Sequence, residues 1–216
     1  MNYDLIVFDW DGTLMDSTAV IAGSIQAACR DLALPIPDDE TARHVIGLGL
    51  EQALSYAVPT LTDAQRPELV ARYRHHFLSQ DQQIPLFDDA HEMILDLHAA
   101  GYQLAVATGK SRVGLERVLE SSKLRPYFHA TRTADQTFSK PHPAMLLEIM
   151  EELGVAADRT LMIGDTSHDI LMAQNAGVDV VAISHGAHPA AALQALNPVI
   201  LVDDLTAFRT WLATEQ

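Results

Sequence analysis

Cationic side chains are scarce in this 216-residue chain. Lysine plus arginine number 14 against 29 aspartates and glutamates, a formal charge of −15, and the only lysines are Lys110, Lys123 and Lys140. Such a surface repels nucleic acid and anionic membranes, so neither is an expected partner. With Cys29 as the sole cysteine, an internal disulfide is excluded, and a reducing, cytoplasmic setting fits. No run of about 18 apolar residues exists, so no membrane span is expected. The first residues carry no basic segment and Asp9 breaks the first apolar run, so no secretory signal is expected. Internal repeats and low-complexity segments are also missing. What remains is 48% hydrophobic, enough for one good-sized domain or a core plus a smaller insert.

Leu5-Ile6-Val7-Phe8 reads as a buried strand, and Asp9-Trp10-Asp11-Gly12-Thr13 follows it directly. Carboxylates at i and i+2 on an extended backbone point the same way, so Asp9 and Asp11 would share one small site. Two like charges that close need a cation between them, or a proton on one. Three more polar clusters stand in equivalent places. Leu104-Ala105-Val106-Ala107 runs into Thr108-Gly109-Lys110, and Leu161-Met162-Ile163 runs into Gly164-Asp165-Thr166-Ser167-His168-Asp169. Lys140 lies between them. Ligands of open parallel sheets bind beyond the carboxyl ends of the strands, so the fold would bring all four clusters to one edge.

From residue 16 to 84 the pattern is helical throughout. Ile21, Ile25, Ala28 and Leu32 share one face, the turn Gly47-Leu48-Gly49 follows, and Leu69, Tyr73 and Phe77 share another face. An α/β alternation resumes near residue 88, with strands expected at 102–107, near 128–131, and at 160–163, 178–183 and 199–202. Strands alternating with helices mean a doubly wound parallel sheet, a Rossmann-like α/β core. The expected division is a core of residues 1–15 and 85–216 and an inserted α-helical cap of residues 16–84, hinged near Asp16 and Pro85.

The four clusters, in this order, resemble the motifs of the haloacid dehalogenase-like hydrolases, most of which are phosphatases. Residues 9–13 match the family's Asp-x-Asp-Gly-Thr, Thr108 its strand-ending Thr or Ser, Lys140 its lone Lys, and residues 164–169 its Gly-Asp-x-x-x-Asp. The general pattern is most similar to phosphoglycolate phosphatases, which carry a helical insert after the first motif. The resemblance implies Asp9 as nucleophile, forming an aspartyl-phosphate, and Asp11 as the acid and base. Thr108 and the N–H of Gly109 would hold phosphoryl oxygens, and Lys140 would neutralise charge on Asp9 and the phosphoryl group. Mg²⁺ would sit on Asp9 and Asp165 with the backbone carbonyl of Asp11, while Asp169 would orient a metal-bound water or Lys140.

Around that centre, Gly12 and Thr13 would turn backbone N–H groups toward the phosphate. Gly47, Leu48 and Gly49 would contact substrate from the cap, with Arg43 or His44 as further candidates. Lys110 and Arg112 either add positive potential or simply start a helix. His75 and His76 are adjacent, a poor geometry for joint metal ligation; His168, inside the fourth motif, either faces the site or, the favoured reading, lies at the surface. The expected activity is Mg²⁺-dependent hydrolysis of a small soluble phosphate monoester, phosphoglycolate-like or a sugar phosphate. Relatives that dehalogenate lack an acid at the position of Asp11, and those that use a cap lysine as a Schiff base find none in residues 16–84. A sugar phosphomutase of the same fold is the nearest alternative, but the family's Arg after the cap turn is missing here. A phosphorylated receiver module, the alternative from another class, is about half this length and has no helical insert.

Overall fold

The computed structural model describes residues 3–214. Among them, six parallel strands form one sheet: β1 (Leu5–Phe8), β2 (Gln103–Thr108), β3 (Ala130–Thr133), β4 (Thr160–Gly164), β5 (Asp179–Ile183) and β6 (Ile200–Val202). Their order in space is β3-β2-β1-β4-β5-β6, the doubly wound arrangement, with the direction of winding reversing beside β1. In register, Phe8 lies between Val106 of β2 and Ile163 of β4, so the ends of these three strands are nearly level. The sequence pattern predicts the third strand near 128–131, but β3 starts at Ala130. His129 just before it already donates its N–H to the Leu104 carbonyl at 2.8 Å, while its ring Nδ1 accepts the Leu104 N–H at 3.1 Å.

Side-chain alternation sends β1 into two layers. Leu5 and Val7 join Ala105, Ala107 and Met162 beneath α7 (Ala144–Leu153), α8 (Ser167–Ala176) and α9 (Ala190–Gln194). Ile6 and Phe8 join Leu104, Val106, Leu161 and Ile163 beneath α5 (Ala90–Ala99), α6 (Arg112–Ser121) and α10 (Leu205–Thr214). A parallel sheet needs both faces covered, and here both are. No described helix is long and apolar enough to cross a membrane.

The helical cap comprises α1 (Thr18–Asp31), α2 (Asp39–His44), α3 (Leu50–Ala57) and α4 (Arg66–Leu78). Ile25, Cys29, Val45, Leu54 and Leu69 give it a core of its own. The chain enters and leaves it side by side: Met15 bridges Leu86, and the Asp16 N–H donates to the Pro85 carbonyl at 3.0 Å.

Three contacts of the cap's backbone help to seat it on the core. Gly49 N–H donates to the Ser139 hydroxyl at 2.8 Å. The carbonyl of His44 accepts from two core histidines, His168 Nε2 at 2.7 Å and His188 Nε2 at 3.0 Å. Because His188 Nδ1 accepts the Ser167 N–H, the His188 proton resides on Nε2. Burial lowers both pKa values, that of His188 to about 4. His168 therefore does not face solvent as its place in a loop-to-helix junction suggests: the cap covers it. In the third contact the Gly47–Leu48 backbone lies on Gly109, where a Cβ would stand 2.5 Å from the Leu48 carbonyl oxygen and 2.6 Å from that of Gly47.

Gly109→Ala should therefore hold the cap off the core without disturbing the sheet. Turnover is expected to fall on the order of 10²-fold, the cost of misplacing a site by about 1 Å. Overpacking should cost only about 1–3 kcal/mol of stability in a denaturant titration. Undiminished turnover would mean that this close approach is not required.

Candidate active site

Asp9 is the first residue past β1, and its N–H still donates to Ile163 O of β4 at 2.9 Å. That bond carries the strand direction one residue further and aims the carboxylate into the gap between β1 and β4. Asp165, first past β4, is fixed at both oxygens. Thr13 Oγ1 donates to Oδ1 at 2.8 Å and the Ala187 N–H donates to Oδ2 at 2.7 Å. Gly12, at φ +86°, lets the backbone run against this carboxylate, where a Cβ would fall 2.2 Å from Oδ2. Asp169 closes a capping box on α8: its Oδ2 accepts from the Thr166 N–H at 3.1 Å and the Thr166 hydroxyl at 2.7 Å. Its Oδ1 is left facing Lys140.

Lys140 joins the set from the loop before α7. Its Nζ lies 2.6 Å from Asp9 Oδ1 and 2.7 Å from Asp169 Oδ1, with no part of the side chain exposed. These are charge contacts without hydrogen-bond alignment. A lysine before proline is ordinarily solvated, and this one is buried by its two carboxylates. Thr108 ends β2, fully buried, and its hydroxyl oxygen accepts the Lys110 N–H at 3.2 Å.

Asp11 differs from its expected placement. β1 stops at Phe8, and Thr13, Leu14 and Met15 all donate to Trp10 O, so residues 10–15 form a tight turn rather than extended chain. The Asp11 carboxylate consequently leaves the three-acid cluster. Lys110 Nζ contacts both its oxygens, at 2.8 and 2.9 Å, and Ser17 Oγ donates to Oδ1 at 2.7 Å. Lys110 rests 5.1 Å over the Phe77 ring of the cap. Of the two cations after Thr108, only Lys110 reaches the site. Arg112 starts α6 and is engaged by Glu116, Thr131 and Gln136. Gly47, Leu48, Gly49 and Gly109 line a chamber of about 770 Å³ between cap and core, with Asp11 and Lys110 at its floor. Arg43 and His44 do not line it: Arg43 pairs with Asp39, and His44 stacks on His188. Ser17 and the Ala187 N–H carry no motif signal, whereas Thr166-x-x-Asp169 is legible as a capping box.

The acidic cluster is under-neutralised. Ligating atoms of Asp9, Asp165 and Asp169 lie within 4.8 Å of one another, against the single charge of Lys140. Burial pushes the Asp9 carboxyl up to about 7 against the pull of Lys140, with Asp169 adding to the rise. Burial, then the charges of Asp9 and Asp169, hold Asp165 well above the usual carboxylate range. Burial alone would lower the Lys140 pKa, but Asp169 and Asp9 outweigh it and raise it. Asp9 Oδ2 is buried with no hydrogen-bond donor. Hard oxygen donors, one of them orphaned, in a net-negative cavity fit a divalent cation such as Mg²⁺.

An acidic centre beyond the carboxyl ends of a doubly wound sheet, closed by a helical cap, defines an aspartate-based hydrolase. Residues 6–183 match the haloacid dehalogenase-like hydrolases, and the chain belongs to that family. A probable phosphatase, IndB, of Dickeya dadantii (strain 3937) is 36% identical over 205 residues, which span 92% of this chain and 89% of that protein. A phosphoglycolate phosphatase of Colwellia psychrerythraea is 32% identical over 195 residues, 85% of each chain. The crystal structure of a predicted phosphoglycolate phosphatase from Haemophilus somnus 129pt matches with a TM-score of 0.85 at 26% identity, covering 100% of this chain and 99% of that one. The protein is an enzyme of the phosphatase type within this family.

The raised Asp9 pKa has a definite sign in stability. Between the ordinary value of 3.8 and about 7, folded Asp9 holds a proton that the unfolded chain has released. The folded state then binds more protons, so in chelator this contribution to stability falls as pH rises through that window. Asp9→Asn cannot ionise, so its Tm relative to the unsubstituted protein should rise from about pH 4 to about pH 7. Mg²⁺ should raise the Tm of the unsubstituted protein most at the upper end, where the carboxylates are ionised. Parallel Tm profiles for the two proteins, with no response to Mg²⁺, would overturn this account of the cluster.

Proposed function

We propose that this protein is a Mg²⁺-dependent phosphomonoesterase that acts on a small phosphorylated metabolite through an aspartyl-phosphate on Asp9. The observation that carries this reading is the buried Lys140 bridging Asp9 and Asp169, with Asp165 alongside and with Asp11, which borders the chamber between cap and core, near enough to add to the rise that burial gives the Asp9 pKa. Asp9 and Asp165 would hold the cation, with the Asp11 carbonyl, and Asp169 would position Lys140. When bound, the cation lowers the negative potential at Asp9 and offsets charge on the phosphoryl oxygens.

The chemistry of the side chains follows in two displacements. An Asp9 carboxylate oxygen attacks phosphorus, the bond from phosphorus to the leaving oxygen breaks, and Asp11 gives that oxygen a proton. Water then attacks the phosphoryl group of Asp9 and loses a proton to Asp11. The Asp9–phosphorus bond breaks, which releases inorganic phosphate and restores both acids. Lys140 keeps Asp9 ionised for the first step. Thr108 and the Gly109 N–H would donate to phosphoryl oxygens. For the acid role Asp11 must turn from Lys110 toward the leaving oxygen, a movement that the adjoining Ser17, at the entry to the cap, can couple to closure. The cap excludes water and restricts access to small substrates, which makes phosphoproteins and nucleic acids unsuitable.

Hydrolysis of an aryl phosphate should require Mg²⁺ and be abolished in a folded Asp9→Asn protein. Turnover in chelator, or by that variant, would refute the covalent route. Asp11→Asn should cost about 10²–10⁴-fold, the usual worth of a positioned acid and base. Its deficit should be smaller for aryl phosphates, whose leaving groups need less protonation, than for alkyl phosphates. Equal deficits for the two classes would show that Asp11 does not protonate the leaving group.

A further inference from the structure

The chamber is larger and more apolar than hydrolysis of a phosphoryl group requires. Its volume of about 770 Å³ lies within the roughly 300–1,000 Å³ of sites that enclose whole organic ligands. A two-carbon acid would leave most of it to water. The cap-side wall is one face of α4, where Val70, Tyr73, Arg74, Phe77 and Leu78 recur at helical spacing. Ile21 and Ile25 of α1 add to the apolar lining.

Two features of that wall concern the shape and polarity of an occupant. The Tyr73 and Phe77 rings stack, with centroids 5.8 Å apart and planes 16° from parallel; Lys110 lies over Phe77, which leaves Tyr73 as the ring with an open face in this wall. Tyr73 is half-buried in the chamber wall, and burial first, then Asp11 and Asp81, raise its pKa. No hydrogen bond from its hydroxyl is present among the described residues, so the hydroxyl is available to an occupant. The charged groups, by contrast, are largely matched already. Lys110 is held by Asp11 and Arg117 by Asp81, which, among the described residues, leaves the exposed Arg74 as the unpaired cation of the lining. A second carboxylate or phosphate on the substrate would find no free buried cation.

We infer that the substrate's leaving group carries a planar, mainly apolar ring, which packs on Tyr73 with a polar edge toward its hydroxyl. The inference rests on the phosphatase reading above and narrows it to phosphate monoesters of ring-bearing alcohols, away from acyclic phosphorylated acids.

The test compares kcat/KM, with Mg²⁺, for two classes of probe. Pyridoxal 5′-phosphate and a nucleoside 5′-monophosphate supply rings; 2-phosphoglycolate and acetyl phosphate supply none. At least one ring-bearing probe should exceed both acyclic ones by roughly tenfold or more, the scale of one aromatic contact plus its burial. Tyr73→Ala should reduce the ratio of ring-bearing to acyclic turnover by a similar factor, chiefly through KM, and Tyr73→Phe should restore most of it. Acetyl phosphate turnover by each variant reports a folded site. Acyclic probes cleaved as well as ring-bearing ones, or a ratio unmoved by Tyr73→Ala, would overturn the inference while the phosphatase reading stood. Failure of every probe, acetyl phosphate included, would remove both.

Discussion

The structure turns on one charge imbalance: three buried carboxylates held against one buried ammonium. Lys140 touches Asp9 and Asp169 at 2.6 and 2.7 Å, and Asp165 completes the acidic set. Breaking such an arrangement from one side leaves an uncompensated buried charge, which typically costs about 3–5 kcal/mol. The imbalance is nonetheless retained, and it is what gives the site its appetite for a cation. Protons satisfy it in part, as the raised Asp9 and Asp165 values record, and a divalent ion would satisfy it more fully.

Everything near the cluster serves to hold like charges together. β1 and β4 are adjacent and in register, so the residues following them, Asp9 and Asp165, are delivered side by side. Thr13, Thr166 and the Ala187 N–H each donate to a carboxylate oxygen, so that Asp165 and Asp169 do not rely on Lys140 alone. Gly12 supplies the backbone space in which Asp165 fits. The sheet therefore does the work of bringing the acids close, and local donors reduce the cost of leaving them there.

Much of this was legible because the informative residues follow directly on strands. An apolar run of four to six residues locates a strand, and in a parallel sheet the next residue must lie at the ligand edge. That reasoning finds Asp9, Thr108 and Asp165 without knowledge of any long-range contact. It fails where the chain turns immediately. An extended backbone would set the Asp11 carboxylate beside that of Asp9, but the turn on Trp10 O points it to Lys110 and Ser17, from where its charge still adds to the rise that burial gives the Asp9 pKa. It fails again where cap meets core. The burial of His168, its grip on the His44 carbonyl and the close approach at Gly109 depend on the docking of residues far apart in sequence, which no local periodicity encodes.

The same partition explains how a chain of charge −15 can accommodate an anionic substrate. At a distance its field opposes approach, and salt screens that opposition beyond about 8–10 Å. Attraction has to be local and shielded from the rest of the surface. Two of the three lysines are spent there, Lys140 against Asp9 and Lys110 against Asp11, each largely or wholly buried. Because both are already matched by aspartates, neither makes the chamber broadly cationic. What the protein offers an incoming ester is thus a small charged floor for the phosphoryl group and, above it, a wall of apolar and aromatic side chains. On the proposed reading, the core would set the reaction with buried charge and the cap would select by shape and apolar contact, a form of recognition that does not compete with the protein's own field.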